Sequence, residues 1–161
     1  MVLILFQNCK TEAQSGPPTA EEIAKSLEEG DKIQKKLETE LRLIKDLDEG
    51  MEVAKKEGKP ILLIFTGFGV PASRLLEMNV ILANEKIFSL MRDKYINVWL
   101  YTDDRRPSGK KWSNLQINKF KGNYQPQIFV LDAEGNKLDE DMGYEASKTE
   151  LLPLLEKYAP N

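Results

Sequence analysis

Few residues in this chain are of types that carry covalent or proton-transfer chemistry, and they stand far apart. The 161 residues include one cysteine, Cys9, and no histidine. Without histidine there is no Ser-His-Asp or Cys-His nucleophilic system and no imidazole zinc site. A single thiol closes no intramolecular disulfide and runs no dithiol cycle. What remains is Ser73, within Val70-Pro71-Ala72-Ser73, and the adjacent carboxylates Asp103-Asp104. A serine hydroxyl stays protonated unless a base is at hand. Two neighbouring acids at a strand end read most simply as a solvated cap, since no further ligand set accompanies them. These residues predict no catalytic group, no metal site and no cofactor.

The place of the serine segment is more informative than its chemistry. Pro60-Ile61-Leu62-Leu63-Ile64-Phe65-Thr66-Gly67 is a continuous apolar run, as in a strand buried on both faces. It leads directly into Phe68-Gly69-Val70-Pro71-Ala72-Ser73-Arg74, where Pro71 suits the first turn of a helix. A strand that delivers a short loop to a helix N-terminus is where a Cys-x-x-Cys motif sits, because the helix end favours a thiolate. Here those four positions read Val70-Pro71-Ala72-Ser73.

The elements that must hold this loop follow from periodicity and punctuation. Leu41 to Lys45 reads as a short first strand, and Asp46 or Asp48 as the cap of a helix carrying Leu47, Met51 and Ala54 that Gly58 closes. Pro71 to Tyr95 is a long helical stretch, with a kink or break expected at Asn79 or Asn84. Tyr95 to Tyr101 is a strand ending at Asp103-Asp104, Arg105 to Lys110 a loop, and Trp112 to Phe120 a helix with Ile117 among its buried candidates. Gln127 to Leu131 is a strand after Pro126. Ala133-Glu134-Gly135-Asn136 turns it into a short edge strand, and Lys148 to Tyr158 is a closing helix with Pro153 in its first turn or at a kink. Trp99 and Trp112 read as core. The order β-α-β-α-β-α-β-β-α predicts an α/β domain over 41–159, its central mixed sheet flanked by helices on both faces.

Two segments precede that domain. Residues 20–40 place Ile23, Leu27, Ile33 and Leu37 at mostly helical spacing among Glu and Lys, which predicts an amphipathic helix packed on its own domain. Residues 1–19 begin with apolar Met1 to Phe6, then Cys9, then a polar stretch with Gly16-Pro17-Pro18. This pattern resembles the tail of a bacterial lipoprotein signal, with Cys9 as the residue to be lipidated and a tether after it. The run is short for a complete signal and no basic residues precede it. The plain alternative is a tail with an incidental thiol. A net charge of −3 with interspersed signs gives no footprint for nucleic acid, and the pairs Lys55-Lys56, Arg105-Arg106 and Lys110-Lys111 read as solvated.

A series of short motifs carries a family resemblance. Asp48-Glu49-Gly50-Met51, Lys59 to Gly67, Tyr101-Thr102-Asp103-Asp104, Lys111 to Gln116, Asn123-Tyr124-Gln125-Pro126 and Val130 to Asn136 occur in order, with compatible spacing. Together they resemble the C-terminal thioredoxin-like domain of DsbD-type thiol:disulfide interchange proteins, over residues 40–158. The resemblance implies a thioredoxin fold, a periplasmic setting and a cis-proline at Pro126 facing the loop. It implies that backbone at Gln125 pairs with an extended peptide, and it places the two catalytic cysteines of the family at Val70 and Ser73. Valine cannot ionise or form a mixed disulfide, and thiol exchange needs an attacking thiolate. The expectation is a redox-inactive module, tethered or secreted in a bacterial periplasm, that binds a peptide or protein partner through Phe68, Gly69, Val70, Pro71, Ala72, Ser73, Gln125 and Pro126. The alternatives are thiol:disulfide exchange with Cys9 as a monothiol, and a lipid-anchored scaffold that binds through its N-terminal helix.

Overall fold

The computed structural model describes residues 17–161. The chain divides into two compact units, Met1–Gln34 and Lys35–Asn161. Helix α1, Ala20–Glu40, begins at a reciprocal cap. The Thr19 hydroxyl accepts from the Glu22 N–H at 3.2 Å and the Glu22 carboxylate accepts from the Thr19 N–H at 2.7 Å. Its stripe is buried at Leu37, whereas Ile23 and Leu27 are exposed.

Three strands form the sheet, β1 (Ile61–Thr66), β2 (Ile96–Tyr101) and β3 (Gln127–Leu131), in the order β2-β1-β3. Strand β1 pairs parallel with β2, Ile61 opposite Ile96 through Thr66 opposite Tyr101, and antiparallel with β3, Phe65 opposite Gln127. All six residues of β1 are buried, as a central strand with covered faces requires. Alternation sends Leu63, Phe65, Val98, Leu100, Phe129 and Leu131 to one face. There they meet α2 (Leu47–Glu57) and α5 (Pro107–Leu115) through Leu47, Ala54 and Trp112. Phe65 sets its ring edge-on to Phe120 at 5.2 Å and to Phe129 at 6.1 Å. The other face carries Asn97, whose amide donates to the Met91 carbonyl of α4 (Glu85–Lys94) at 2.8 Å. The Tyr95 hydroxyl donates to Leu155 of α6 (Tyr144–Tyr158) at 2.7 Å. Helix α3, Pro71–Leu75, continues as a π-helical turn over Leu76–Ile81, and α5 continues likewise over Gln116–Phe120.

Most punctuation reads as expected. Asp46 caps α2, its carboxylate accepting from the N–H groups of Asp48 (2.9 Å) and Glu49 (3.2 Å), and Gly58 ends it at φ 66°. Asn84 caps α4, so the chain breaks there, and Asn79 falls within the π-helical turn. Five expectations are corrected. Leu41–Lys45 is not a strand, because Arg42 turns the chain at φ 50° and only Ile44 bridges Val98. The edge strand after the Gly135 turn is reduced to two bridges, Leu131 with Lys137 and Ile128 with Met142. Between them the side chains of Asp139 and Asp141 bond Lys157 and Tyr124. Residues 105–110 are not all loop, since Pro107 opens α5 as a first-turn proline. Helix α6 starts at Tyr144 and not at Lys148, so of the two places expected for Pro153 it takes the one inside the helix, with no N–H to offer. Ile117 is exposed, because the wide turn after α5 shifts residues off the 3.6-residue spacing that the sequence pattern assumes.

Replacing Asp46 with alanine orphans two first-turn N–H groups and is expected to cost about 1 kcal/mol. A urea unfolding curve checks it, as a lower midpoint with an unchanged slope.

Candidate functional site

The register of the sheet brings two segments to one end of β1. The loop Gly67–Val70 leaves that strand directly, and the bend Gln125-Pro126 delivers β3 to its place opposite Phe65. The Gln125-Pro126 peptide bond is cis. Pro126 is buried, Gln125 and Val70 are half-buried, and Pro71 and Gly69 are exposed. The Gln125 N–H and C=O make no hydrogen bond among the described residues.

The loop is held from the β2 side. The Asp103 carboxylate accepts from the Phe68 N–H at 2.9 Å and the Gly69 N–H at 2.8 Å, one bond to each oxygen. Phe68 is 60% exposed, yet its ring lies flat on Tyr101 with centroids 4.1 Å apart. Phe68 is thus drawn toward β2, while Pro126 leads into β3 on the other side of β1. A side chain at Gly67 would meet Val70 Cγ2 at 2.6 Å and the Asp103 carboxylate at 2.9 Å, so the tight exit from β1 requires glycine. Of the acidic pair, Asp104 turns instead to Arg106. That guanidinium and its backbone N–H hold the carboxyl at about 2. The pair therefore has two distinct jobs, and the sequence reading as one solvated cap missed the clamp at Asp103.

Behind the loop, Ser73 is buried and its hydroxyl has no hydrogen-bond partner among the described residues. One turn later Glu77 is also buried, bonded to Arg74 at 2.9 Å. Burial pushes its carboxyl above the ordinary value, and the Arg74 charge only partly opposes that. Neither group is placed to activate the other, since the Glu77 carboxylate bonds Arg74 and makes no bond to the serine oxygen.

The bend is held by a set of buried amides absent from the sequence reading. Gln116, in the wide turn after α5, donates to the Tyr124 carbonyl and to the Gln127 side chain, each at 2.8 Å. Its own carbonyl accepts from the Gln125 amide at 3.1 Å. Gln127 donates on to Asp141 at 2.8 Å, and the Tyr124 hydroxyl donates to the same carboxylate oxygen. Burial and that carboxylate push the Tyr124 phenol up to about 12. Burial would raise Asp141, but the Tyr124 and Gln127 bonds outweigh it and leave the carboxyl below its usual range. No side chain fits at Gly122, where a Cβ would strike the Gln127 amide. Three glutamines within twelve residues were the sequence signal for this cluster.

Residues 47–159 match the model of a family described as thioredoxin-like domain. The chain belongs to that family. The thioredoxin-like domain here has the thioredoxin fold, a mixed three-stranded sheet flanked by helices, with helix α1 added in front. Among solved structures it is similar to a thioredoxin from Thermus thermophilus, with a TM-score of 0.54 and 13% identity over 68% of this chain and 81% of that one. DsbH oxidoreductase gives 0.49 and 21% identity over 66% and 81%, and a disulphide isomerase from Xylella fastidiosa Temecula1 gives 0.49 and 16% over 69% and 86%. No curated protein sequence matches the chain. Cys9 and the tether expected over 1–19, as far as Gly16, lie outside the described residues. No described helix is long and apolar enough to cross a membrane. The described residues contain no cluster of His, Cys, Asp and Glu that could hold a metal ion.

Two substitutions test this thioredoxin-like site. Ser73→Ala removes a buried hydroxyl that bonds nothing among the described residues and is expected to be neutral or to stabilise by about 1 kcal/mol. A loss of that size in chemical unfolding would reveal a partner. The raised Glu77 carboxyl makes the folded state hold its proton more tightly than the unfolded chain does. Its contribution is therefore complete in acid and lost as pH rises through the ordinary carboxylate range and above. Glu77→Gln should flatten that decline in a pH series of thermal midpoints, and an unchanged slope would count against it.

Proposed function

We propose that this thioredoxin-like protein is a redox-inactive module that binds an extended peptide or protein segment across the Val70 loop and the Gln125-Pro126 bend. The observation that carries the reading is the bend itself. Among the described residues, an N–H and a C=O at Gln125 are left without partners beside a loop where the relevant positions hold valine and a buried serine. An unpaired donor and acceptor at the end of a sheet are what strand addition uses, with side-chain pockets supplying selectivity. Val70, half-buried, and Pro71, exposed, offer the apolar contact. The likeness of the motifs to DsbD-type interchange proteins supports a bacterial periplasmic setting and a relation to thiol:disulfide oxidoreductases. The sequence departs from those proteins where thiolate chemistry would occur, since its one cysteine is Cys9. Electron transfer is the part of the family's activity that this reading gives up, and polypeptide recognition is the part it keeps.

The test has two arms. In an insulin-reduction assay with dithiothreitol the protein should add nothing to the background rate. Turnover that persists in Cys9→Ser would overturn the redox-inactive reading. In a fluorescence-anisotropy titration, reduced and carboxymethylated lysozyme provides extended segments with no free thiol. Val70→Asp puts a charge into the contact and should weaken binding about tenfold, equivalent to about 1.4 kcal/mol. Equal affinity for the wild type and this variant would exclude the Val70 loop as the docking surface.

A further inference from the structure

We infer that the outer edge of β2 holds a slot for the carboxyl-terminal apolar residue of an extended polypeptide. Every residue that forms it belongs to the unit Lys35–Asn161. The Asn97 carbonyl accepts from the Ile44 N–H at 2.9 Å, and the Trp99 N–H donates to the Ile44 carbonyl at 2.9 Å. The N–H and C=O of one strand residue point to the same side, so the Asn97 N–H faces this edge as well. The Tyr95 C=O, two residues earlier in extended backbone at φ −125°, faces it too. A regular parallel strand would bring Arg42 opposite Ile96 and bond both groups. Arg42 instead turns the chain away at φ 50°, and neither group has a partner among the described residues. Tyr95 and Asn97 are buried, so water is a poor substitute for the missing strand.

Beside the two open groups lies a cavity of about 270 Å³ that Tyr95, Ile96 and Asn97 line from β2. Its apolar walls are Leu41 and Ile96, both buried, with Ile44 and Val53, both half-buried. The Asn97 side chain does not fill it, because its amide is committed to the Leu41 and Met91 carbonyls at 3.1 and 2.8 Å. These groups fit one residue at a chain end. Opposite Ile96, its N–H donates to the Tyr95 C=O and its carboxylate accepts from the Asn97 N–H, just as Ile44 bonds two residues farther along β2. The chain must stop there, because Ile44 already stands at the next place, opposite Val98. Arg42 supplies the countercharge. Its guanidinium is exposed and bonds Glu57 at 3.3 Å, while Glu57 has a second partner in Lys59 at 3.0 Å. Turning Arg42 to the incoming carboxylate therefore leaves Glu57 paired. The terminal side chain shares the face of Ile96 and meets the apolar walls, which favours Val, Leu or Ile over a charged residue. Ile61 lies beside Ile96, so the slot is at the end of the sheet away from Thr66 and the Val70 loop, and it does not rest on the reading of that loop.

Fluorescence anisotropy of the full chain with the peptide Gly-Ser-Gly-Leu, labelled with fluorescein at its amino end, tests the slot. The free acid should bind at least about tenfold tighter than the carboxyl-terminal amide, and N-acetylleucine should compete with it. Arg42→Gly suits the left-handed backbone at this position, so it removes the guanidinium without strain and should erase the preference for the acid. Val53→Phe fills the cavity and should weaken binding of the acid at least about tenfold, with far-ultraviolet circular dichroism verifying the fold. In proton–nitrogen correlation spectra the Asn97 amide proton should move downfield as the acid binds. No binding at about 1 mM protein, equal affinity for acid and amide, or a stationary Asn97 amide would overturn the proposal. So would a preference for the acid retained by Arg42→Gly, or undiminished binding to Val53→Phe, which would put the peptide on another surface.

Discussion

Strand β1 bonds β2 along one edge and β3 along the other, in opposite directions, and removes six consecutive side chains from water. A strand enclosed in this way has one register, because a slip by one residue would exchange the Leu63-Phe65 face for the Leu62-Ile64 face. That fixed register determines where the chain leaves β1 and where it enters β3. Thr66 is level with Tyr101, so Asp103 arrives beside the loop, and Phe65 is level with Gln127, so the Gln125-Pro126 bend arrives on the other side. The site is thus assembled by backbone pairing before any of its own side chains contribute.

What those side chains add is rigidity. The loop is tied by a carboxylate and a stacked ring, the bend by the amides of Gln116 and Gln127. Buried amides are costly when unpaired, so a network of this kind favours one arrangement over its near alternatives. Both ties reach backbone atoms and leave the Gln125 backbone open. The geometry is that of a presented edge, while Ser73 and Glu77 behind it hold no paired acid and base.

Local features were legible in the sequence and long-range ones were not. The apolar run of β1, the proline opening α3, the Asp46 cap and the Gly58 stop each depend on neighbouring residues, so residue type and spacing reveal them. The cis bond at Pro126 was legible only through the family resemblance. Asp103 was misread because its partners stand thirty-four and thirty-five positions earlier, and a carboxylate looks the same whether it faces water or an N–H. Ile117 was misassigned because a π-helical turn breaks the periodicity that the assignment used. The glutamine network was visible as composition but not as structure, since side-chain amides carry no period.

The clamp at Asp103 separates the shape of the loop from its chemistry. The carboxylate grips main-chain N–H groups that every residue except proline possesses, and it belongs to a different strand from the loop it holds. The residues at 70–73 are therefore free to vary without redirecting the chain. A lineage could discard a reactive group there and keep the platform, or install a different one, with the same mould in place each time.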